Sequence, residues 1–124
     1  MDRKRILLVD DYAAFANSLR LALLDDHDVV VATSGEQALV ELQGGVRFDV
    51  VLCDLMMPQL SGAELHQRIA ERWPGFERRM IFMTGGSYTP ETNQFLKRVT
   101  NPRLEKPFPV DELRSLLVST AELP

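Results

Sequence analysis

Five polar residues stand where short apolar runs end. Asp10 and Asp11 follow Ile6–Val9, Asp54 follows Val50–Cys53, and Thr84 follows Met80–Met83. Lys106 follows the weaker segment Arg103–Glu105. Three carboxylates, a hydroxyl and an ammonium suit phosphoryl chemistry. An aspartate can attack phosphorus and form an aspartyl phosphate. Such transfer is mostly positioning and neutralisation of charge on the moving oxygens. Clustered carboxylates repel, and one is driven toward protonation unless a cation is present. Lys106 offsets one charge, and the remaining charge of about −2 would be neutralised by one divalent ion. Oxygen donors at a site that keeps several waters suit Mg²⁺. The ion would bridge Asp54 and the phosphoryl oxygens. Lys106 and the Thr84 hydroxyl would hold the other oxygens. The energy comes from the donor, and the chain has no P-loop sequence for ATP.

Taken singly, each residue has a plain structural explanation. Asp11 could cap a helix, Asp54 could be a solvated strand end, Thr84 a turn residue and Lys106 a surface lysine. Chemistry requires that all five meet, so the elements that carry them decide the matter.

Those elements alternate. After Ile6–Val9, Phe15, Leu19, Ala22 and Leu23 recur at helical spacing. Val29–Val31 makes a second strand. Ser34-Gly35-Glu36-Gln37 reads as a capping box opening a helix with Ala38, Leu39 and Leu42, stopped by Gly44-Gly45. Val50–Cys53 is the third strand. Ser61-Gly62-Ala63-Glu64 is a second capping box, ahead of Leu65, Ile69 and Trp73, and Pro74-Gly75 ends that helix. Met80–Met83 is the fourth strand. Thr89-Pro90 fits an N-cap followed by proline at the first helical position, with Thr92, Phe95, Leu96 and Val99 on the apolar face and Asn101-Pro102 as terminator. A short fifth strand near Arg103–Glu105 precedes Lys106-Pro107 and a last helix with Leu113, Leu116, Leu117 and Ala121.

Five β-α units with continuous apolar strands predict an α/β fold whose parallel sheet is covered on both faces. The expected form is a flavodoxin-like, doubly wound, five-stranded sheet of order 2-1-3-4-5 with five helices. In that order strands one, three, four and five are neighbours, and their carboxyl ends bring the five polar residues to one edge.

Bulk properties narrow the function. The chain has 124 residues, 45% hydrophobic and 26% charged, which predicts one soluble domain over 1–124. The formal charge of −4 argues against nucleic-acid binding. The basic run Arg3-Lys4-Arg5 is expected to be a solvated lead-in to the first strand. Cys53 is the one cysteine and is expected to be a small buried hydrophobe. His27, in a turn, and His66, on a helix, are expected at the surface and not as metal ligands. No apolar stretch nears the ~20 residues of a membrane span, and no signal peptide is visible, so a cytoplasmic location is expected.

The whole chain resembles the receiver domains of bacterial response regulators and hybrid sensor histidine kinases. The residues that carry the likeness are LLVDD ending at Asp11, DLMMPQLSG beginning at Asp54, MTGG around Thr84 and LEKPF around Lys106. The resemblance implies that Asp54 is phosphorylated by a histidine kinase or phosphotransfer protein, the domain assisting its own phosphorylation and dephosphorylation. It implies that Asp11 and Asp54 contact Mg²⁺ through side chains, Met56 through its backbone carbonyl, and Asp10 through water. Thr84 and Lys106 would contact the phosphoryl group, and Lys106-Pro107 would be a cis peptide. The origin, stand-alone regulator or hybrid kinase, stays open with a lean to the hybrid, and so does a homodimer.

Two positions depart from the family pattern. Arg103 stands where many members carry a tyrosine or phenylalanine switch. Met56 and Gly86, two residues after Asp54 and Thr84, cannot orient an attacking water by hydrogen bonding, which predicts a long-lived aspartyl phosphate. Gly85-Gly86 is compatible with simple turn chemistry or with a loop that reshapes as Thr84 moves. A haloacid-dehalogenase-like phosphatase would need an acid at Met56. A flavin-binding protein would need a hydroxyl- and glycine-rich loop where Asp10-Asp11 stand. A receiver fold kept only for protein interaction is the remaining alternative.

Overall fold

A computed structural model describes residues 3–86 and 88–124. Five strands, β1 (Arg5–Val9), β2 (Asp28–Ala32), β3 (Val50–Asp54), β4 (Met80–Thr84) and β5 (Arg103–Glu105), alternate with α1 (Ala13–Leu23), α2 (Gly35–Gln43), α3 (Gly62–Arg72), α4 (Pro90–Arg98) and α5 (Val110–Ala121). A short 3-10 turn, Phe76–Arg79, precedes β4. The strands pair in parallel in the order β2-β1-β3-β4-β5, as expected.

The strand period of two sorts each strand's side chains onto opposite faces. Leu7, Val9, Val51, Cys53 and Phe82 bury with Leu65, Ile69 and Phe95. Ile6, Leu8, Leu52, Ile81 and Met83 bury with Ala16, Leu19, Leu23, Leu113 and Leu117 on the other face. Full burial of one such side chain is worth about 1.5–3 kcal/mol, so both layers hold the sheet that carries the polar edge. Cys53 is fully buried, as expected.

Local signals behave as their chemistry requires. The Ser61 hydroxyl accepts from the Glu64 amide at 3.2 Å, while the Glu64 carboxylate accepts from the Ser61 amide at 3.1 Å. Thr89 accepts from the Thr92 amide at 3.1 Å, with Pro90 at the first helical position. The box at Ser34 is only half formed. Ser34 accepts from the Gln37 amide, but the Gln37 carbonyl oxygen turns to the Thr33 amide at 2.7 Å. A neutral amide reaching one residue further back satisfies the same exposed end.

Three sequence expectations need correction. Ala22 is exposed and Ala16 buried, because α1 meets the sheet along Ala16, Leu19 and Leu23. Arg3 stays exposed, as a solvated lead-in should, and it also pairs with Asp28 at 2.8 Å and donates to the carbonyls of Leu24, Asp25 and His27, clamping the α1–β2 turn. His27 is buried, its Nδ1 accepting from the Lys4 amide at 3.2 Å while its Nε2 has no partner among the described residues. His66 is half-buried, its ring 5.2 Å from Phe95 in an edge-on contact. Side-chain pairing and burial of this kind leave no trace in local sequence.

Candidate functional site

The parallel register brings the strand ends level. Val9 lies opposite Cys53, Asp54 opposite Met83, and Thr84 opposite Glu105. The next residue after β1 is therefore Asp10, beside Asp54 on the central strand. Carboxylate oxygens of Asp10, Asp11 and Asp54 all lie within 4.8 Å of one another. Asp10 and Asp54 are buried, whereas Asp11 is exposed.

Asp10 is held at three points. Its amide donates to the Ala32 carbonyl at 3.1 Å, one carboxylate oxygen accepts from the Tyr12 amide at 2.9 Å, and the other accepts from Lys106 Nζ at 2.8 Å. Lys106 Nζ is also 3.8 Å from Asp54 Oδ1 and sits 4.3 Å from the centre of the Phe15 ring. Cation–π attraction adds to the ion pairs in fixing this ammonium. The Lys106 amide donates to the Thr84 carbonyl at 2.8 Å, so β5 is anchored to β4 at the point where both leave the sheet. Lys106-Pro107 is cis.

The loop after Asp54 is pinned by close backbone approach. The Gly62 amide donates to the Leu55 carbonyl at 2.9 Å. A Cβ at Gly62 would lie 2.7 Å from the Asp54 carbonyl oxygen, so only glycine fits this first turn of α3. Met56 is exposed within the loop, and Thr92 of α4 donates to its sulfur at 3.5 Å. Its backbone amide favours the charged form of the Asp54 carboxylate.

The electrostatics reflect the shortage of positive charge. Burial pushes the Asp54 carboxyl up to about 6 from its ordinary 3.8. Lys106 opposes that rise, Asp10 and Asp11 reinforce it, and the Met56 amide opposes it more weakly. One ammonium among three carboxylates leaves a charge of about −2 when all are ionised. The donor set is all oxygen, and the exposed Asp11 leaves the site open to water. Asp10, Asp11 and Asp54 thus fit a hard divalent cation that keeps water ligands.

Thr84 is buried at the end of β4, with its hydroxyl accepting from Tyr88 Oη at 3.3 Å. An aromatic residue in a glycine-rich loop carries no motif, so Tyr88 has no sequence signal. Arg103 donates from Nη2 to the Leu96 carbonyl at 3.0 Å, tying β5 to the last turn of α4.

A family model described as the response regulator receiver domain matches residues 6–118. This chain belongs to that family. The receiver domain is 33% identical over 110 residues to the transcriptional regulatory protein DltR of Streptococcus agalactiae, an alignment covering 88% of this chain and 48% of that protein. It is 32% identical over 114 residues to the transcriptional regulatory protein FixJ of Bradyrhizobium diazoefficiens, covering 92% and 55% respectively. The chain thus spans about half the length of these relatives. Among solved structures, FixJ-N superposes with a TM-score of 0.83 at 26% identity, covering 100% of this chain and 98% of that one. Among the described residues, no helix is long and apolar enough to cross a membrane.

Proposed function

We propose that this receiver domain is the phosphoacceptor of a two-component phosphorelay and that Asp54 takes the phosphoryl group. The observation that carries the reading is the meeting of Asp10, Asp11 and Asp54 oxygens within 4.8 Å, with Lys106 reaching two of the three. A carboxylate oxygen of ionised Asp54 attacks phosphorus, a P–O bond forms, and the N–P bond of a phosphohistidine donor breaks. The electron pair leaves on the imidazole nitrogen. Lys106 then pairs with a phosphoryl oxygen, and the Thr84 hydroxyl donates to another.

Asp11, Asp54 and the Met56 carbonyl would hold Mg²⁺ in this reading, and Asp10 would act through water. When bound, the ion would supply positive charge that offsets the carboxylates and the transferred phosphoryl group. The donor is a histidine kinase or a phosphotransfer protein, and the domain works in the cytoplasm. The MTGG and NPRLEKPF segments favour, by resemblance, an origin within a hybrid sensor kinase over a stand-alone regulator. A full-length transcript decides between them.

Intact-mass spectrometry after incubation with acetyl phosphate tests the reading. The expected result is a Mg²⁺-dependent gain of one phosphoryl group, absent in Asp54→Ala. No gain under conditions where Mg²⁺ binds would leave a receiver-shaped interaction domain. Met56 and Gly86 offer no hydrogen bond to an attacking water, so the adduct should be long-lived, and a half-life of seconds would contradict that.

A further inference from the structure

Thr84 is held at the end of β4 by its backbone and by burial. Its carbonyl accepts from Lys106, its side chain is buried, and a β-branched side chain has little rotamer freedom. The orientation of the O–H bond then depends on what else the oxygen binds. Tyr88 supplies that partner, donating to Thr84 Oγ1 at 3.3 Å.

Gly85 and Gly86 follow the strand, and Gly86 has φ +87°, a conformation open to glycine at little cost. A Cβ there would also stand 2.9 Å from Glu105 Oε1. Thr89, the residue after Tyr88, caps α4 and anchors the far end. Tyr88 itself remains 43% exposed, so core packing does not account for its position. Arg103 is held by the Leu96 carbonyl.

We propose that Tyr88 is a positioning residue for phosphoryl transfer, acting through Thr84; this rests on the phosphoacceptor reading above. By donating to Thr84 Oγ1, Tyr88 leaves the threonine proton free to point at a phosphoryl oxygen. A chain from Tyr88 to Thr84 to the phosphoryl oxygen also polarises each bond in turn.

A double-mutant cycle tests it. Tyr88→Phe should slow phosphorylation by acetyl phosphate about fivefold, the loss expected for one ordinary hydrogen bond, with Mg²⁺ affinity unchanged. In a Thr84→Ala background the same substitution should have no further effect. An unchanged rate in the single variant, or an equal loss in both backgrounds, overturns the proposal. A second readout does not depend on turnover. The chain has two tyrosines, Tyr12 and Tyr88, so 3-fluorotyrosine labelling gives two ¹⁹F signals, assigned with Tyr12→Phe. Beryllofluoride with Mg²⁺ should shift the Tyr88 signal in the wild type but not in Thr84→Ala. A signal that fails to move in the wild type, or moves in both, refutes the role. Wild type that never gains an Asp54-dependent phosphoryl group would sink the function itself, whereas normal wild-type phosphorylation with an additive cycle removes only Tyr88.

Discussion

Lys106 Nζ lies 2.8 Å from Asp10 Oδ2, across 96 positions of sequence, and this contact closes the acidic edge of the sheet. The Asp10 side chain is almost wholly buried, so the ammonium is its main compensation.

Removing that compensation leaves a buried charge unpaired. Lys106→Met should destabilise the metal-free domain by about 1–3 kcal/mol, because Asp10 keeps its desolvation cost without its partner. Asp10→Asn in the same chain should recover part of the loss. Urea unfolding in EDTA measures both, and equal losses in the single and double variants would show that the pair contributes nothing. Added Mg²⁺ should narrow the gap between wild type and Lys106→Met.

Asp54 should make the domain more stable toward acid. Its folded pKa of about 6 exceeds the ordinary 3.8, chiefly through burial, so the folded state binds the proton more tightly. The sign follows from linkage: this contribution is fully present below about 3.8 and is lost as pH rises through about 6. Asp54→Asn should therefore stabilise the metal-free domain by about 3 kcal/mol at pH 8, and by roughly half that at pH 5. Equal gains at the two pH values would mean that Asp54 titrates normally. Mg²⁺ affinity should weaken as pH falls through about 6, since the ion needs the carboxylate.

His27 works in the opposite direction. Burial lowers its pKa below 6.5, with Asp26 opposing the shift and Arg3, Arg114 and Lys4 adding to it. The unfolded chain thus binds the proton more readily, and stability is lost as pH falls from 6.5 through the folded value. His27→Gln should flatten the pH dependence of unfolding just below 6.5. An unchanged profile would show that the ring stays open to protonation in the fold.

Gly62 should resist even the smallest side chain. A Cβ there meets the Asp54 carbonyl oxygen at 2.7 Å and Leu55 Cα at 2.9 Å, and backbone cannot rotate aside. Gly62→Ala should cost about 1–3 kcal/mol of stability and slow phosphorylation by displacing Asp54. At Gly85 a Cβ meets nothing within 4 Å, so Gly85→Ala is the stability control. Matching melting temperatures for the two variants would contradict the close approach.

The sequence alone carried the β-α alternation, because strand and helix periods are written into apolar spacing. It also placed Asp10, Asp11, Asp54, Thr84 and Lys106 at strand ends, where a parallel sheet gathers them. Capping residues such as Ser61 and Thr89 were legible for the same reason: their bonds span three residues. The tertiary structure alone decided that Lys106 grips Asp10 more closely than Asp54, that Tyr88 holds the Thr84 hydroxyl, and that Arg103 turns to Leu96. It also decided that Arg3 clamps the turn around a buried His27. Hydrogen bonds and ion pairs act over about 3 Å in space, and which distant groups come that close is set by packing of the whole fold, not by their neighbours along the chain.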